Sequence, residues 1–187
     1  MLRLEHFLGK GATRLCFYHP DKPEKCVKVA MRHENMPQLQ HELQAVKACK
    51  KALSSYLPEY DTELVPTTLG PGLVCEIIRN DDGSLSPSLS EYARHTPLNK
   101  RLIAQIFLFA RTVLEHHIPL YDFNPANFVV QTRQGRCLLR LTDLKTYNSY
   151  KPWVYLHLER VVPALSKLIV KRRLKRLCDW ATARAEK

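Results

Sequence analysis

The stretch from Ile118 to Val130, IPLYDFNPANFVV, carries an Asp and an Asn five positions apart, Asp122 and Asn127, with Pro125 between them. An amphipathic run precedes it, and the β-branched FVV follows. A tight loop just ahead of a strand would hold two oxygen-bearing side chains in fixed positions. Phosphoryl transfer calls for that pair: a carboxylate to take up the acceptor hydroxyl's proton, and an amide oxygen for a metal ion. Asp, Asn and Pro are also the commonest turn residues, so an ordinary polar turn fits the same letters.

The elements around this stretch decide between the two. Leu8 to Val29, LGKGATRLCFYHPDKPEKCVKV, predicts strand, glycine turn, strand, turn, strand. Gly9 and Gly11 lie in the first turn, where a backbone without Cβ can approach a phosphate closely, although any β-turn can hold two glycines. Lys28 stands between Val27 and Val29, so alternation sets it on the opposite face from both. A solvated lysine on a half-exposed strand would show the same pattern. Met36 to Leu57 predicts a helix, with Leu39, Leu43, Val46, Cys49 and Leu53 at three- and four-residue steps. Glu42 falls on that stripe, and a carboxylate on a packed face needs a partner. Lys28 is an available one, as in the lysine–glutamate pair that orients ATP phosphates in protein kinases. Glu42 at the edge of the stripe, facing water, is the alternative.

Leu73 to Ile78 predicts a short buried strand, followed by the polar, turn-rich RNDDGSLSPSLSEYA. That break divides a small β-rich lobe from a more helical one. Pro97 to His117 is the strongest helical pattern, with Leu98, Leu102, Ile106, Phe109 and Val113 in one stripe widened by Ile103, Ala110 and Leu114. FVVQT and CLLRLTDL predict a strand pair turned through Arg133 to Arg136. Asp143 ends the second strand, where a second metal-binding carboxylate would stand; a helix or turn cap is the plain alternative. His157 to Ala185 predicts one helix or two, with Leu158, Val161, Leu165, Leu168 and Ile169 apolar. Its KRRLKR run suits a solvated face, a phosphate contact or a membrane-surface patch.

The chain of 187 residues has a formal net charge of +11, and the excess gathers near Lys167 to Arg176. Such a balance favours acidic partners: nucleotide, phosphorylated substrate, nucleic acid or an anionic membrane surface. Interleaved aromatics and a nucleic-acid motif are lacking, so nucleic acid is disfavoured. Hydrophobic content of 45% and charged content of 25% fit a globular chain. No apolar run approaches the roughly 20 residues of a membrane span. The N-terminus has no long apolar core after its first basic residue, so a secretory signal is not expected. Six scattered cysteines without a CxxC pair read as small core hydrophobes in a reducing compartment.

Gly9, Gly11, Lys28, Glu42, Asp122, Asn127 and Asp143 follow one another in an order that resembles the protein-kinase-like fold. DFNPANFVV is similar to the DLKPxNIL form of a kinase catalytic loop. More narrowly, the chain resembles over nearly its full length the small bacterial YrbL family, kinase-like proteins named for the PhoP regulatory network. The hairpin ending HPxxPxKCVKV, the LxxYAR stretch after a DDGS turn and a compact basic C-terminal end carry that resemblance.

The resemblance implies an α+β, protein-kinase-like fold. A small antiparallel sheet with a helix would form an N-lobe over residues 1–79, a linker would run over 80–96, and a reduced, mainly helical C-lobe would span 97–187. It implies ATP and Mg²⁺ as cofactors. Lys28 would hold the nucleotide phosphates with Glu42 orienting it, Gly9, Lys10 and Gly11 would cover them, and the adenine would meet backbone groups near Glu76, Ile77 and Ile78. Asp122 would be the catalytic base, with Asn127 and Asp143 on the metal. A regulatory or envelope-related role in a bacterium follows from the family's description.

Several positions depart from the kinase pattern. Arg14 stands where a third glycine would be, Leu120 and Tyr121 replace His-Arg before Asp122, and Leu144 and Lys145 replace Phe-Gly after Asp143. An Ala-Pro-Glu signature is missing, and little chain remains for a peptide-binding lobe. These departures turn the expectation toward a non-peptide acceptor. A pseudokinase acting as a regulatory binding protein is the second reading, and a basic polyanion- or membrane-surface binder led by the C-terminal helix is the third.

Overall fold

The structure, a computed structural model, describes residues 1–118, 120–145 and 163–185, the first four of the last stretch by backbone alone. Two compact units divide the chain: residues 1–48 with 58–77, and residues 49–57 with 78–187. The fold class is mixed α+β, with an antiparallel sheet in the first unit.

In the first unit, β1 (Phe7–Lys10), β2 (Arg14–Tyr18), β3 (Lys25–Ala30), β4 (Tyr60–Thr67) and β5 (Gly70–Glu76) form one sheet in the order β1-β2-β3-β5-β4. All four pairings are antiparallel. Helix α1 (Met36–Leu53) lies against one face, where Leu39 and Leu43 pack on Leu73, Ala30, Tyr60 and Leu64. Val27, Val29 and Val74 fill the other face with Leu15 and Phe17. The period of two thus puts the valines on one side of β3, and Cys26, Lys28 and Ala30 on the helix side. The helix stops at Leu53, four residues short of the predicted Leu57, because Tyr56 and Leu57 turn back onto the Leu53 carbonyl.

β4 carries no apolar alternation and includes Pro66, so its sequence gives no strand signal. Its edge position explains both, since an edge strand tolerates proline and polar residues. Gly72 sits where a Cβ would lie 2.5 Å from Val27 Cγ1 and 2.8 Å from Thr67 Cγ2, so glycine is what lets β5 close on its neighbours.

In the second unit, α3 (Lys100–Glu115) is the central element, with Leu102, Ile106, Phe109 and Val113 all buried. It begins at Lys100 and not at Pro97, because the Asn99 side chain caps it by accepting from the Leu102 N–H. The fully buried Phe109 ring meets Tyr56, Phe123 and Phe128 edge-on, at centroid separations of 5.2, 6.2 and 5.2 Å. Two of those rings flank the loop that carries Asp122 and Asn127, so one aromatic cluster anchors it. Phe109→Ala is expected to cost about 3–5 kcal/mol, read from chemical denaturation.

α2 (Leu89–His95) occupies part of the stretch expected to be only a polar linker. Ser88 caps it by accepting from the Glu91 N–H, and Leu89 is buried. β6 (Phe128–Arg133) and β7 (Arg136–Leu141) form the hairpin, turned through Gln134 and Gly135 at φ 51° and 68°. Two successive positive φ values define a type I′ turn, whose twist matches the strands.

The last helix, α4 (Pro163–Thr182), packs on α3. Its inward stripe is Val170, Leu174, Leu177, Cys178 and Ala181. Leu168, one of the apolar residues of this segment, is 60% exposed, because the helix phase follows the later residues. Leu158 and Val161 lie outside the described residues, as does the Leu165 side chain. Among the described residues no helix is long and apolar enough to cross a membrane.

Candidate active site

In the first unit, the site residues gather around Glu42. Its side chain is 1% exposed on α1, and three groups from three strands converge on it. Lys28 Nζ on β3 donates to Glu42 Oε1 at 2.8 Å. The Tyr60 hydroxyl on β4 donates to the same oxygen at 3.0 Å and accepts from Lys28 Nζ at 3.3 Å. The Arg14 guanidinium on β2 forms an ion pair with Glu42 Oε2. Lys28 and Arg14 are each 8% exposed. A carboxylate this deep is tolerated only because both oxygens meet cations.

Arg14, which stands at the place of the third glycine, was not a predicted site residue. The register supplies the missing signal: Cys16 pairs with Lys28 and Arg14 with Ala30, so Arg14 shares the lysine's face of the sheet. Tyr60 was missed because β4 itself was.

Gly9 lies in β1 and Gly11 just beyond it, with Lys10 exposed between them. The Gly11 N–H donates to the Arg14 carbonyl at 2.8 Å and closes the turn. A Cβ at Gly9 would meet nothing within 4 Å, and one at Gly11 would meet only the Arg14 carbonyl oxygen at 3.7 Å. Packing therefore demands glycine at neither position. At the end of β5, the Glu76 N–H donates to the Glu59 carbonyl and the Ile77 N–H to the Glu24 carbonyl, both at 2.8 Å. In the second unit, the Ile78 carbonyl accepts from the Ser86 N–H at 3.1 Å. The two amides of Glu76 and Ile77 are thus already committed.

In the second unit, the hairpin and the loop before it bring the acidic residues together. Thr142 donates to the Asn127 carbonyl through its N–H at 2.9 Å and its hydroxyl at 3.0 Å, which sets Asp143 one residue from the partner of Asn127. The Tyr121 N–H donates to the Lys145 carbonyl at 2.8 Å and lays Asp122 alongside the same segment. Lys145 Nζ then donates to Asp122 Oδ2 at 3.1 Å and pairs with Asp143 Oδ2 at 3.2 Å. One ammonium joins the two carboxylates expected to do chemistry. Asp122 Oδ1 also accepts from the Asn124 N–H at 3.2 Å, which fixes the carboxylate on its own loop. Asn124 Oδ1 caps the short 3-10 turn Pro125–Asn127.

Lys145 was read only as a departure from a motif. Its sequence signal was alternation: Leu144 is 1% exposed, so Asp143 and Lys145 share the opposite side of an extended stretch. Burial draws the Lys145 ammonium's pKa down, but the Asp143 and Asp122 carboxylates outweigh it and hold the pKa above the usual lysine value. A raised lysine stabilises the fold fully below its ordinary value of about 10.4 and loses that contribution only as pH climbs through the raised one.

The buried Asn127 Nδ2 has no hydrogen-bond partner among the described residues. Which end of the amide carries oxygen is an assignment, so either end of this amide can be the one without a partner among the described residues. Among the described residues no group of three or more His, Cys, Asp or Glu side chains is placed to hold a metal ion.

The fold is that of the protein kinases. The kinase domain of Mycobacterium tuberculosis PknI, solved as a crystal structure of a mutant, matches with a TM-score of 0.52 at 15% identity. The match takes in 75% of this chain and 58% of that one, and at such identity it speaks for the fold alone. The model of the family described as PhoP regulatory network protein YrbL matches residues 1–180, and the chain belongs to that family. No curated protein matches it.

Proposed function

We propose that the protein is an ATP- and Mg²⁺-dependent phosphotransferase acting on a hydroxyl-bearing acceptor that is not a peptide. The observation that carries this reading is the convergence of Asp122 and Asp143 on one cation, with Asn127 tied through its backbone carbonyl to Thr142, the residue before Asp143. A base and a metal-binding carboxylate must lie this close if both are to act on one transferring phosphoryl group.

Asp143 and Asn127 suit Mg²⁺. They offer a hard carboxylate and an amide oxygen, and Mg²⁺ is commonly held by one or two carboxylates plus substrate phosphates, without a protein cage. When bound, the ion would neutralise charge on the nucleotide's β- and γ-oxygens. The chain's own residues would do the rest. Lys28, held by Glu42 and Tyr60, would present its ammonium to the α- and β-phosphates. Gly9 and Gly11 leave room for a close phosphate approach, since a Cβ at Gly9 would meet nothing within 4 Å and one at Gly11 only the Arg14 carbonyl oxygen at 3.7 Å. The adenine edge would use those backbone groups of residues 76–78 other than the Glu76 and Ile77 amides. Asp122 would accept the acceptor hydroxyl's proton.

Lys145 favours a second reading, a pseudokinase in which its ammonium stands permanently in place of a metal. The two readings part on Lys145→Met. If Lys145 neighbours a working metal site, its removal takes away a repelling charge, and the Mg²⁺ concentration needed for nucleotide binding falls by roughly tenfold. If Lys145 is the resident cation, the variant loses stability and gains no response to Mg²⁺. Turnover of γ-labelled ATP by the unmodified protein with cell extract is the complementary test: transfer to any acceptor supports the enzyme, and binding without turnover supports the pseudokinase.

A further inference from the structure

The basic run on α4 resolves into two kinds of residue. Lys171, Arg172, Lys175 and Arg176 are exposed, whereas Arg173 turns inward. The Arg173 guanidinium donates to the Tyr121 carbonyl at 3.1 Å and stacks on the Tyr121 ring, 3.6 Å from its centroid. Tyr121 immediately precedes Asp122, so α4 is fastened to the loop that bears the proposed base.

Beside that fastening lies a cavity of about 260 Å³. Asp122 and Asn124 line it from the loop, and Arg173, Arg176, Leu177 and Trp180 from α4. Its volume is below the roughly 300–1,000 Å³ of pockets for drug-sized ligands, which suits a small molecule. Arg176 makes no ion pair among the described residues, while its neighbour Asp179 is taken by Lys175 at 2.7 Å. Trp180 provides a flat apolar wall, with the Arg184 guanidinium 4.4 Å from its ring centroid.

We propose that this cavity is the acceptor site, and that it takes a small soluble molecule bearing a hydroxyl and an anionic phosphate or carboxylate group. The inference rests on the phosphotransferase reading and gives it a substrate class. The anionic group sits against Arg176 and Arg173, whose planar forks match phosphate and carboxylate oxygens. The carbon skeleton lies on Trp180 and Leu177. The hydroxyl then faces Asp122. In the transfer step, the acceptor O–H bond breaks and its proton passes to the Asp122 carboxylate. A bond forms between the acceptor oxygen and the γ-phosphorus of a nucleoside triphosphate. The bond from that phosphorus to the β,γ-bridging oxygen breaks, and its electron pair leaves with the nucleoside diphosphate.

The test is calorimetric titration of the full chain with inorganic phosphate, paired with transfer from γ-labelled ATP to glycerol 3-phosphate. Arg176→Glu is expected to weaken phosphate binding by about tenfold or more and to abolish transfer. Arg176 is exposed, so the variant should fold, and its circular dichroism and melting curve check that it does. Lys171→Glu makes the same charge change on the same helix outside the cavity, and should leave both readings as in the unmodified protein. Equal losses from Lys171→Glu and Arg176→Glu would overturn the site in favour of a general basic surface. Arg176-dependent binding to phosphatidylglycerol vesicles, with no binding of soluble phosphate, would overturn it in favour of a lipid headgroup. Nucleotide binding by the unmodified protein is measured alongside. If it is present while Arg176→Glu changes nothing, the acceptor site alone falls. If it is absent, the phosphotransferase reading falls and takes the acceptor role with it.

Discussion

Asp122→Asn is expected to reduce phosphoryl transfer by about 10²–10⁴-fold, the range of a positioned general base. Nucleotide binding should change little, because Asp122 is assigned to the acceptor's proton and not to the nucleotide. The substitution keeps the side chain's shape and one acceptor oxygen, so the contact with the Asn124 N–H can survive. What it removes is the negative charge facing Lys145 and the capacity to take a proton. The check is turnover of labelled ATP beside equilibrium binding of the nucleotide on one preparation. Loss of both together would instead mean that Asp122 holds the loop in place and does no chemistry.

Glu42→Ala should have a large effect on stability. It leaves the Lys28 ammonium and the Arg14 guanidinium buried without the carboxylate they share. Removing one member of a buried ion pair costs about 3–5 kcal/mol, because the remaining charge has lost its compensation. The Tyr60 hydroxyl loses its acceptor too. Unfolding in guanidinium chloride would show the midpoint fall. Under conditions where the variant remains folded, nucleotide affinity should also fall, since Lys28 has then lost the buried carboxylate that helps to aim it. Normal stability in Glu42→Ala would mean that solvent or another anion compensates the two cations.

The parts legible in sequence were those whose geometry follows from one element's own period. Lys28 stood out because valines flank it on a six-residue strand, and Glu42 because it interrupts an apolar helical stripe. Asp122 and Asn127 were visible through their spacing and the strand behind them. The residues that escaped, Arg14, Tyr60 and Lys145, owe their positions to pairing between segments. Register places Arg14 on the face of Lys28, and a single backbone hydrogen bond from Tyr121 to Lys145 aligns the two acidic segments. Pairing of that kind leaves no mark in local composition, and for Lys145 only its alternation with Leu144 hinted at the side it shares with Asp143. α2 was legible and was overlooked: Ser88 followed three residues later by Glu91 is a capping-box signature within an otherwise turn-like run. The inward stripe of α4 was not read from sequence, because the apolar residues noted there lie before Val170, whereas its packing is set from Val170 onward.

The central claim is that Lys28, Asn127 and Asp143 serve a nucleotide and its metal. Equilibrium binding of labelled ATP with and without Mg²⁺ tests it most directly, on the unmodified protein and on Lys28→Met and Asp143→Asn. Binding that requires Mg²⁺ and is lost in both variants is the predicted result. A protein that binds no ATP at any Mg²⁺ concentration, or binds it equally well in all three forms, would contradict the account.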